Sequence, residues 1–477
     1  MLLLEAYNIK KYYGDRLILD IPELRLYAGN RVGIVGLNGV GKTTLMNILS
    51  GDAQPDEGYV VSYASTAYIR QFSEEDAQAD TRMLNDFGAV GLPGAGERSG
   101  GEQTRIRIAN ALCKNAALVF ADEPTSNLDA RGIELLGERL SRTRSLVIIS
   151  HDRALLDMLC NKILELRDSK NYWHEGNYSD FLAYSGAERE KAFRDYERYA
   201  DERSRLERAA AQADVRAKSI RKAPKRMGNS EARLHRRAAT EIAEKLHGQS
   251  SAISSRLEKL EVKEKPRKMP AIRMNFSLTN PPENKLIVNC ERFAFGYGEK
   301  TLFADASFNI PRGSKTAIVG DNGTGKTTLL RQIYENNAAF RIAPKARLGF
   351  FYQNFENMDF DKSVLDNVMD TSVQNENTVR LILARLLIRG DDVYKKAALL
   401  SGGERIKLSF AKLITSASNV LLLDEPTNYL DISSIEALQV LLHEYEGTVI
   451  FVSHDRAFVD AVADRRLRIE NCVIAEE

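Results

Sequence analysis

The stretch Gly36-Leu37-Asn38-Gly39-Val40-Gly41-Lys42-Thr43-Thr44 decides the fold of this chain, and a second copy stands at Gly320-Asp321-Asn322-Gly323-Thr324-Gly325-Lys326-Thr327-Thr328. Each copy follows a short apolar run, Arg31-Val-Gly-Ile-Val35 or Lys315-Thr-Ala-Ile-Val319, that reads as a buried strand. Each leads into a helical pattern, Leu45–Leu49 or Leu329–Ile333. Strand, glycine loop and helix in that order is the context of a phosphate-binding loop. The glycines let backbone N–H groups wrap phosphate oxygens, and the helix start adds its positive dipole end. Lys42 and Lys326 are placed to reach β and γ phosphates, Thr43 and Thr327 to hold Mg²⁺, and Thr44 and Thr328 complete the nucleotide contacts. A glycine turn ahead of an ordinary helix would account for one copy but not for two.

At 477 residues the chain is too long for one core, and length suggests about three domains. Its 67 Lys and Arg nearly balance 66 Asp and Glu, so the total says nothing of partners unless charge is unevenly placed. No apolar run nears the ~18 residues that cross a bilayer. The start, Met-Leu-Leu-Leu-Glu-Ala-Tyr, has neither a basic leader nor a long apolar core. Cys113, Cys160, Cys290 and Cys472 form no paired spacing for a metal or a disulfide framework. A soluble, cytoplasmic protein is expected.

Tyr13 lies ahead of the first loop, as Tyr297 lies ahead of the second. Each could stack on an adenine ring; a partly buried strand tyrosine is the plainer alternative. Gln71, at the end of an apolar run, could complete a Mg²⁺ shell or hold an attacking water. Arg98-Ser99-Gly100-Gly101-Glu102-Gln103 then opens an apolar helical pattern, which makes Ser99 to Glu102 a second anion site that faces no phosphate of its own domain. Ala117-Leu-Val-Phe-Ala-Asp122-Glu123 is an apolar strand ending in two acids. Asp122 fits the Mg²⁺ shell, and Glu123 fits a base polarising water against the γ-phosphate. His151 ends the next apolar strand. A lone histidine there is commonly structural, but after an acid and a base in this order it is read as catalytic.

The second half replays these parts. Tyr297, the Lys326 loop, Gln353, Leu400-Ser401-Gly402-Gly403-Glu404, Asp424-Glu425 and His454 follow in the same order. Tyr13 to Tyr297 and Lys42 to Lys326 are both 284 positions apart. Such self-similarity means two copies of one α/β domain.

These motifs resemble the nucleotide-binding domains of ABC ATPases: Walker A, Q-loop, signature, Walker B with its glutamate, D-loop and switch histidine. Two such domains in one chain without a membrane segment resemble the ABC-F family. The resemblance implies head-to-tail pairing within a monomer and two composite ATP–Mg²⁺ sites. Lys42, Thr43, Gln71, Asp122, Glu123 and His151 would be closed by Ser401 and Gly403, and Lys326, Thr327, Gln353, Asp424, Glu425 and His454 by Ser99 and Gly101. Both sites are expected to hydrolyse ATP. Gln71 lies 28 positions from Ser99, whereas Gln353 lies 48 from Ser401. The first helical subdomain is therefore trimmed, without room for the extra arm of housekeeping ABC-F factors, and no C-terminal extension is expected after Glu477.

The expected organisation is an ATPase domain at 1–183, a linker at 184–285 and a second ATPase domain at 286–477. In the linker, Tyr196, Tyr199, Leu206, Ala210, Ala213, Ala217 and Ile220 recur at spacings of three and four, one face of a long helix. Residues 184–222 as one helix would reach ~58 Å from the ATPase body. A breaker cluster around Pro224 and Gly228 precedes a second helix through Leu234, Ala238, Ile242 and Leu246, which either continues or is interrupted around Gly248-Gln-Ser-Ser before Ile253, Leu257 and Leu260. This is a coiled-coil-like helical hairpin. Its tip, residues 216–237, holds Arg216, Lys218, Arg221, Lys222, Lys225, Arg226, Arg233, Arg236 and Arg237 against one acid, Glu231. A solvated helix face explains many charge runs. An excess of positive charge gathered at one turn fits displaced phosphate counterions, and so RNA, better.

The resemblance then implies a ribosomal ATPase: the ATP-bound form binds near the exit and peptidyl sites, and the tip reaches toward the peptidyl-transferase centre between tRNA and large-subunit rRNA. The missing arm points to the antibiotic-resistance branch, which protects ribosomes from drugs. The alternatives are a general translation regulator without a drug role, the ATPase subunit of a drug exporter, and a DNA-repair ATPase; the last spaces its halves with longer coils or zinc modules, absent here.

Overall fold

Short runs of branched and apolar residues, too short for helices and too apolar for surface strands, become the central parallel strands of each half. The computed structural model describes residues 1–71, 84–85, 87, 100–126, 128–220, 229–263, 274–298, 300–351 and 358–477. They divide into two compact units, Met1–Phe181 with Pro270–Glu477, and Leu182–Met269.

In the first half the described elements are β1 (Leu2–Tyr13), β2 (Arg16–Tyr27), β3 (Arg31–Val35), α1 (Lys42–Ser50), β4 (Glu57–Ser62), β5 (Thr66–Ile69), α2 (Gly100–Leu112), β6 (Leu118–Asp122), α3 (Ala130–Ser141), β7 (Leu146–Ile149), α4 (Arg153–Leu159), β8 (Lys162–Arg167) and β9 (Lys170–Glu175). A six-stranded sheet has the order β5-β6-β7-β3-β8-β9, parallel except for the β8–β9 hairpin, and an antiparallel sheet has the order β2-β1-β4. Alternate residues feed two cores. Leu118, Phe120, Val147 and Ile149 pack on the side of α1, and Val119, Ala121, Leu146 and Ile148 pack on the side of α3 and α4. The order β6-β7-β3 matters most, because it sets the ends of the acidic strand, the histidine strand and the glycine-loop strand side by side. A parallel sheet gathers its ligand at those carboxyl ends.

The separate unit is built on α5 (Tyr178–Ile220) and α6 (Asn229–Glu258). The 43 residues of α5 make a helix of ~65 Å. Arg256 of α6 lies 3.3 Å from Glu202 of α5, and Leu206 and Ser250 are buried, so the two helices run back along one another. A break at Gly248 does not occur: α6 continues through it. Glycine costs a helix only about 1 kcal/mol, and the helix formers on either side carry the turn.

The second half repeats the plan with β10 (Leu286–Tyr297), β11 (Lys300–Pro311), β12 (Lys315–Val319), α7 (Lys326–Tyr334), β13 (Phe340–Ile342), β14 (Leu348–Phe351), α8 (Val364–Met369), α9 (Glu376–Arg385), α10 (Gly402–Thr415), β15 (Val420–Asp424), α11 (Ile432–Glu444), β16 (Thr448–Val452), α12 (Arg456–Val462), β17 (Arg465–Glu470) and β18 (Val473–Glu476). Its sheets have the orders β14-β15-β16-β12-β17-β18 and β11-β10-β13. Among the described residues no helix is long and apolar enough to cross a membrane.

Candidate functional site

The two glycine loops end at Gly41 and Gly325, which cap α1 and α7 at φ +101° and +100° with no side-chain cap. A Cβ at Gly41 would lie 2.6 Å from Ile18, and one at Gly325 would lie 2.9 Å from Phe303. Only glycine fits this left-handed, crowded turn, and it leaves the first helical N–H groups free of a side-chain partner. Lys42 Nζ donates to the carbonyls of Gly36 (2.8 Å) and Leu37 (3.1 Å) and to Asn38 Oδ1 (3.3 Å). Lys326 Nζ donates to the carbonyls of Gly320 and Asp321, both at 2.8 Å. Burial holds both ammonium groups below the usual lysine range. Gly39, Thr43 and Thr44 line the first cleft, and Asn322, Gly323, Thr327 and Thr328 line the second.

At the end of β6, Asp122 is 1% exposed, and both carboxylate oxygens are enclosed without a hydrogen bond of regular geometry. Burial pushes its pKa up to about 6, with the Thr43 hydroxyl acting in the other direction. In the second half Thr327 Oγ1 donates to Asp424 Oδ1 at 3.0 Å. Among the described residues no group of three or more His, Cys, Asp or Glu could hold a metal ion alone. One enclosed carboxylate beside one hydroxyl per site suits Mg²⁺, which keeps waters and takes substrate phosphate oxygens.

Glu123 and Glu425 follow the strands in left-handed backbone at φ 45° and 47°. Non-glycine residues hold that conformation only where their surroundings impose it. Here the amides of Glu123 and Glu425 donate to the carbonyls of Ile149 (2.9 Å) and Val452 (3.0 Å). The backbone amide of His151 donates to Glu123 Oε2 at 3.3 Å, and its Nε2 lies 3.1 Å from Oε1. The second half repeats this at 3.2 and 3.3 Å between His454 and Glu425. Burial pushes both glutamates up to about 7 and the histidines down, to about 3 for His151 and about 4 for His454. Each site thus pairs a carboxyl that gains and loses its proton near neutrality with an imidazole that stays neutral there.

The halves meet across these sites. Asn38 donates from its backbone amide to Asp431 Oδ2 at 2.8 Å and from Nδ2 to the Tyr429 carbonyl at 3.0 Å. A Cβ at Gly403 would meet Asn38 Nδ2 at 3.1 Å. The first cleft, about 420 Å³, holds Lys42, Asp122 and Gln71 from one half and Ser401, Gly403 and Tyr429 from the other. The second, about 600 Å³, holds Lys326, Asp424 and Glu425 with Ser126, Leu128 and Asp152. Tyr13 and Tyr297 stand at the two cleft mouths, about 60% exposed (60% and 61%). Ser401 caps α10 in a reciprocal box with Glu404, just ahead of Gly402 and Gly403; Gly100, Gly101 and Glu102 open α2. Ser99 and Gln353 lie outside the described residues, as do Arg221, Lys222, Lys225 and Arg226. Arg216 is exposed on α5, which also carries Lys218; Arg233, Arg236 and Arg237 lie on α6.

Sequence reasoning placed Asp431 in the repeated turn Asn428-Tyr429-Leu430-Asp431 but missed its bond across the cleft. Its signal was the Leu-Asp pair repeated at Leu128-Asp129 and Leu430-Asp431. Burial acts to raise Asp431, but buried Lys407 and the hydrogen bonds it accepts outweigh that and hold it low. The matching cation in the first half, Arg105, lies 3.5 Å from Asp129. Arg107 was missed too; its guanidinium donates to the carbonyls of Arg70 and Gln71 and anchors the strand end that presents Gln71.

A family model described as ABC transporter matches residues 19–126 and 303–428. Over 97% of its length the chain is 31% identical to the Erythromycin resistance ATP-binding protein MsrA of Staphylococcus epidermidis, covering 98% of that protein. It is 30% identical to the Ribosome protection protein VmlR of Bacillus subtilis (strain 168) and 31% to the ABC transporter F family member 5 of Arabidopsis thaliana, over 97% of this chain in both, covering 86% and 74% of them. Among solved structures the RNase-L Inhibitor aligns with a TM-score of 0.64 at 20% identity, over 97% of this chain and 87% of that one. That likeness is one of fold.

Proposed function

Because the chain belongs to the ABC-F family of tandem ABC ATPases, and so hydrolyses ATP, we propose that it is a ribosome-directed switch that protects ribosomes from antibiotics acting on the large subunit. The observation that carries this reading is the end-to-end likeness to two proteins named for erythromycin resistance and ribosome protection, which extends through the helical segment between the ATPase halves. The basic run at 216–237 supports it, since a surface that must meet RNA gains affinity by releasing phosphate counterions.

In this reading ATP lies in each cleft with its phosphates on the glycine loop and its γ-phosphate against the signature turn of the opposite half. Mg²⁺, when bound, would sit at Thr43, Asp122 and Gln71, or Thr327, Asp424 and Gln353, and would neutralise phosphate charge. Glu123 and Glu425 accept the proton of the attacking water. His151 and His454 orient those carboxylates and face the γ-phosphate. Nucleotide binds the closed pairing better than the open one, and that difference in affinity drives the switch. The closed form binds the ribosome near the exit and peptidyl sites, with the basic tip directed to rRNA and tRNA; hydrolysis releases it. The chain acts as a monomer in the cytoplasm.

The test is Glu123→Gln combined with Glu425→Gln, expected to hold ATP and to sediment with ribosomes from a lysate. Sedimentation with membranes or DNA instead would defeat the reading. A trapped protein that binds ribosomes but leaves drug occupancy of the large subunit unchanged would identify a general translation regulator.

A further inference from the structure

Helix α4 begins two residues after His151, and its N-cap Asp152 accepts from the Leu155 amide at 2.9 Å, which ties the helix to the histidine turn. Its next acid, Asp157, takes hold of the start of α5. Ser179 donates its backbone amide to Asp157 Oδ1 at 2.7 Å and its hydroxyl to Oδ2 at 2.6 Å. One carboxylate thus holds both groups of one residue, which fixes orientation as well as position. The segment it holds is itself stiff. Asn177 and Asp180 exchange backbone-to-side-chain bonds, both at 3.0 Å. Tyr178 is 3% exposed and lies in the same core cluster as Leu155, Leu156 and Leu159 of α4. The helix also faces the second half, where Arg153 lies 3.5 Å from Glu436 and Ile432 packs against that cluster.

The internal repeat supplies a control. The residue 303 positions on from Asp157, as His454 is from His151, is Asp460. It bonds Arg466 of its own half at 2.7 Å. Arg456 and Glu134, the counterparts of Arg153 and Glu436, are exposed. The same acid therefore serves a local surface pair in one half and seats the hairpin's first helix in the other.

We infer that Asp157 is a positioning residue that makes the start of α5 follow the His151 turn, so that nucleotide state in the first cleft reaches the helical hairpin through α4. This rests on the proposed role of nucleotide as a switch, and its test has an arm that does not need the ribosome. Hydrogen–deuterium exchange of the full Glu123→Gln, Glu425→Gln chain is measured with and without ATP. With Asp157 in place, ATP slows exchange in both α4 and the first turns of α5. Asp157→Ala, or the milder Ser179→Ala, keeps the effect on α4 and loses it on α5, while Asp460→Ala changes neither. In the otherwise unmutated chain, Asp157→Ala leaves basal ATP turnover unchanged and lowers ribosome-stimulated turnover about tenfold. The inference is overturned if α5 still responds to ATP without Asp157, or if Asp460→Ala acts equally. Failure of the Glu123→Gln, Glu425→Gln chain with Asp157 in place to bind ribosomes would count against the functional reading, and the exchange result would still decide this one.

Discussion

Glu123 and Glu425 combine a left-handed backbone, a histidine 3.1 or 3.3 Å away and a pKa pushed up to about 7 by burial. The proton-accepting form exists above that value, so kcat/KM for ATP at saturating Mg²⁺ should rise with pH through about 7. His151 and His454 are neutral across that window and add no second limb. A profile flat between pH 6 and 8 would contradict this. The sign for stability is opposite: the folded protein holds the glutamate protons more tightly than the unfolded chain, whose carboxyls titrate near 4.5. The contribution of these two groups to stability therefore falls as pH rises from about 4.5 to about 7. Replacing both by Gln should lower turnover by at least ~10²-fold with ATP binding retained, measured by single-turnover hydrolysis and nucleotide retention.

At the scale of elements, each half anchors its central strand to the ends of neighbouring helices with one long cation. Arg31, at the start of β3, donates to the carbonyls of Leu140 (2.8 Å), Ser141 (3.1 Å), Thr143 (2.9 Å) and Leu159 (2.6 Å), which close α3 and α4. Lys315 does the same for the segment after α11, donating to Tyr445 (2.7 Å) and Gly447 (2.6 Å). Helix ends leave carbonyls without partners, and a charged donor satisfies several at once. Arg31→Met should cost about 3 kcal/mol by urea unfolding, and a loss within the scatter of surface substitutions would show that water replaces the guanidinium. The helix α10 cap belongs to this scale as well: Ser401 both starts the helix and stands in the first cleft. A Ser401→Ala change should therefore lower stability by ~1 kcal/mol and weaken ATP-dependent closure, read by unfolding and nucleotide-affinity measurements together.

For the whole molecule, the halves are joined through Asn38, Asp431 and Gly403 at one cleft, while the excess of positive charge lies along the chain between them, in the run at 216–237. Changing those nine Lys and Arg to Gln should leave basal ATP turnover intact and weaken ribosome association. It should also flatten the dependence of that association on salt, because fewer counterions are released. Sedimentation at a series of salt concentrations checks this, and an unchanged slope would remove the run from the interface.

The glycine loops, the Asp-Glu strand ends, the histidines and the repeat were all legible in the sequence, because phosphate wrapping and strand burial demand particular residues at fixed local spacing. Whether the helix runs through Gly248 was left open by the sequence and is decided by the structure, where one glycine does not outweigh a helix that the rest of the segment favours. The cross-cleft role of Asp431, the roles of Lys407 and Arg107, and the hold of Asp157 on α5 outside the site were not legible, because each depends on partners that lie well along the chain. Local chemistry along the chain thus determined what each half contains. The pairing of halves across the clefts was implied by the family resemblance and not by local chemistry; only the tertiary structure decided the contacts that join them, Asn38 with Asp431 and Tyr429, because hydrogen-bond geometry between distant segments exists only once both are folded.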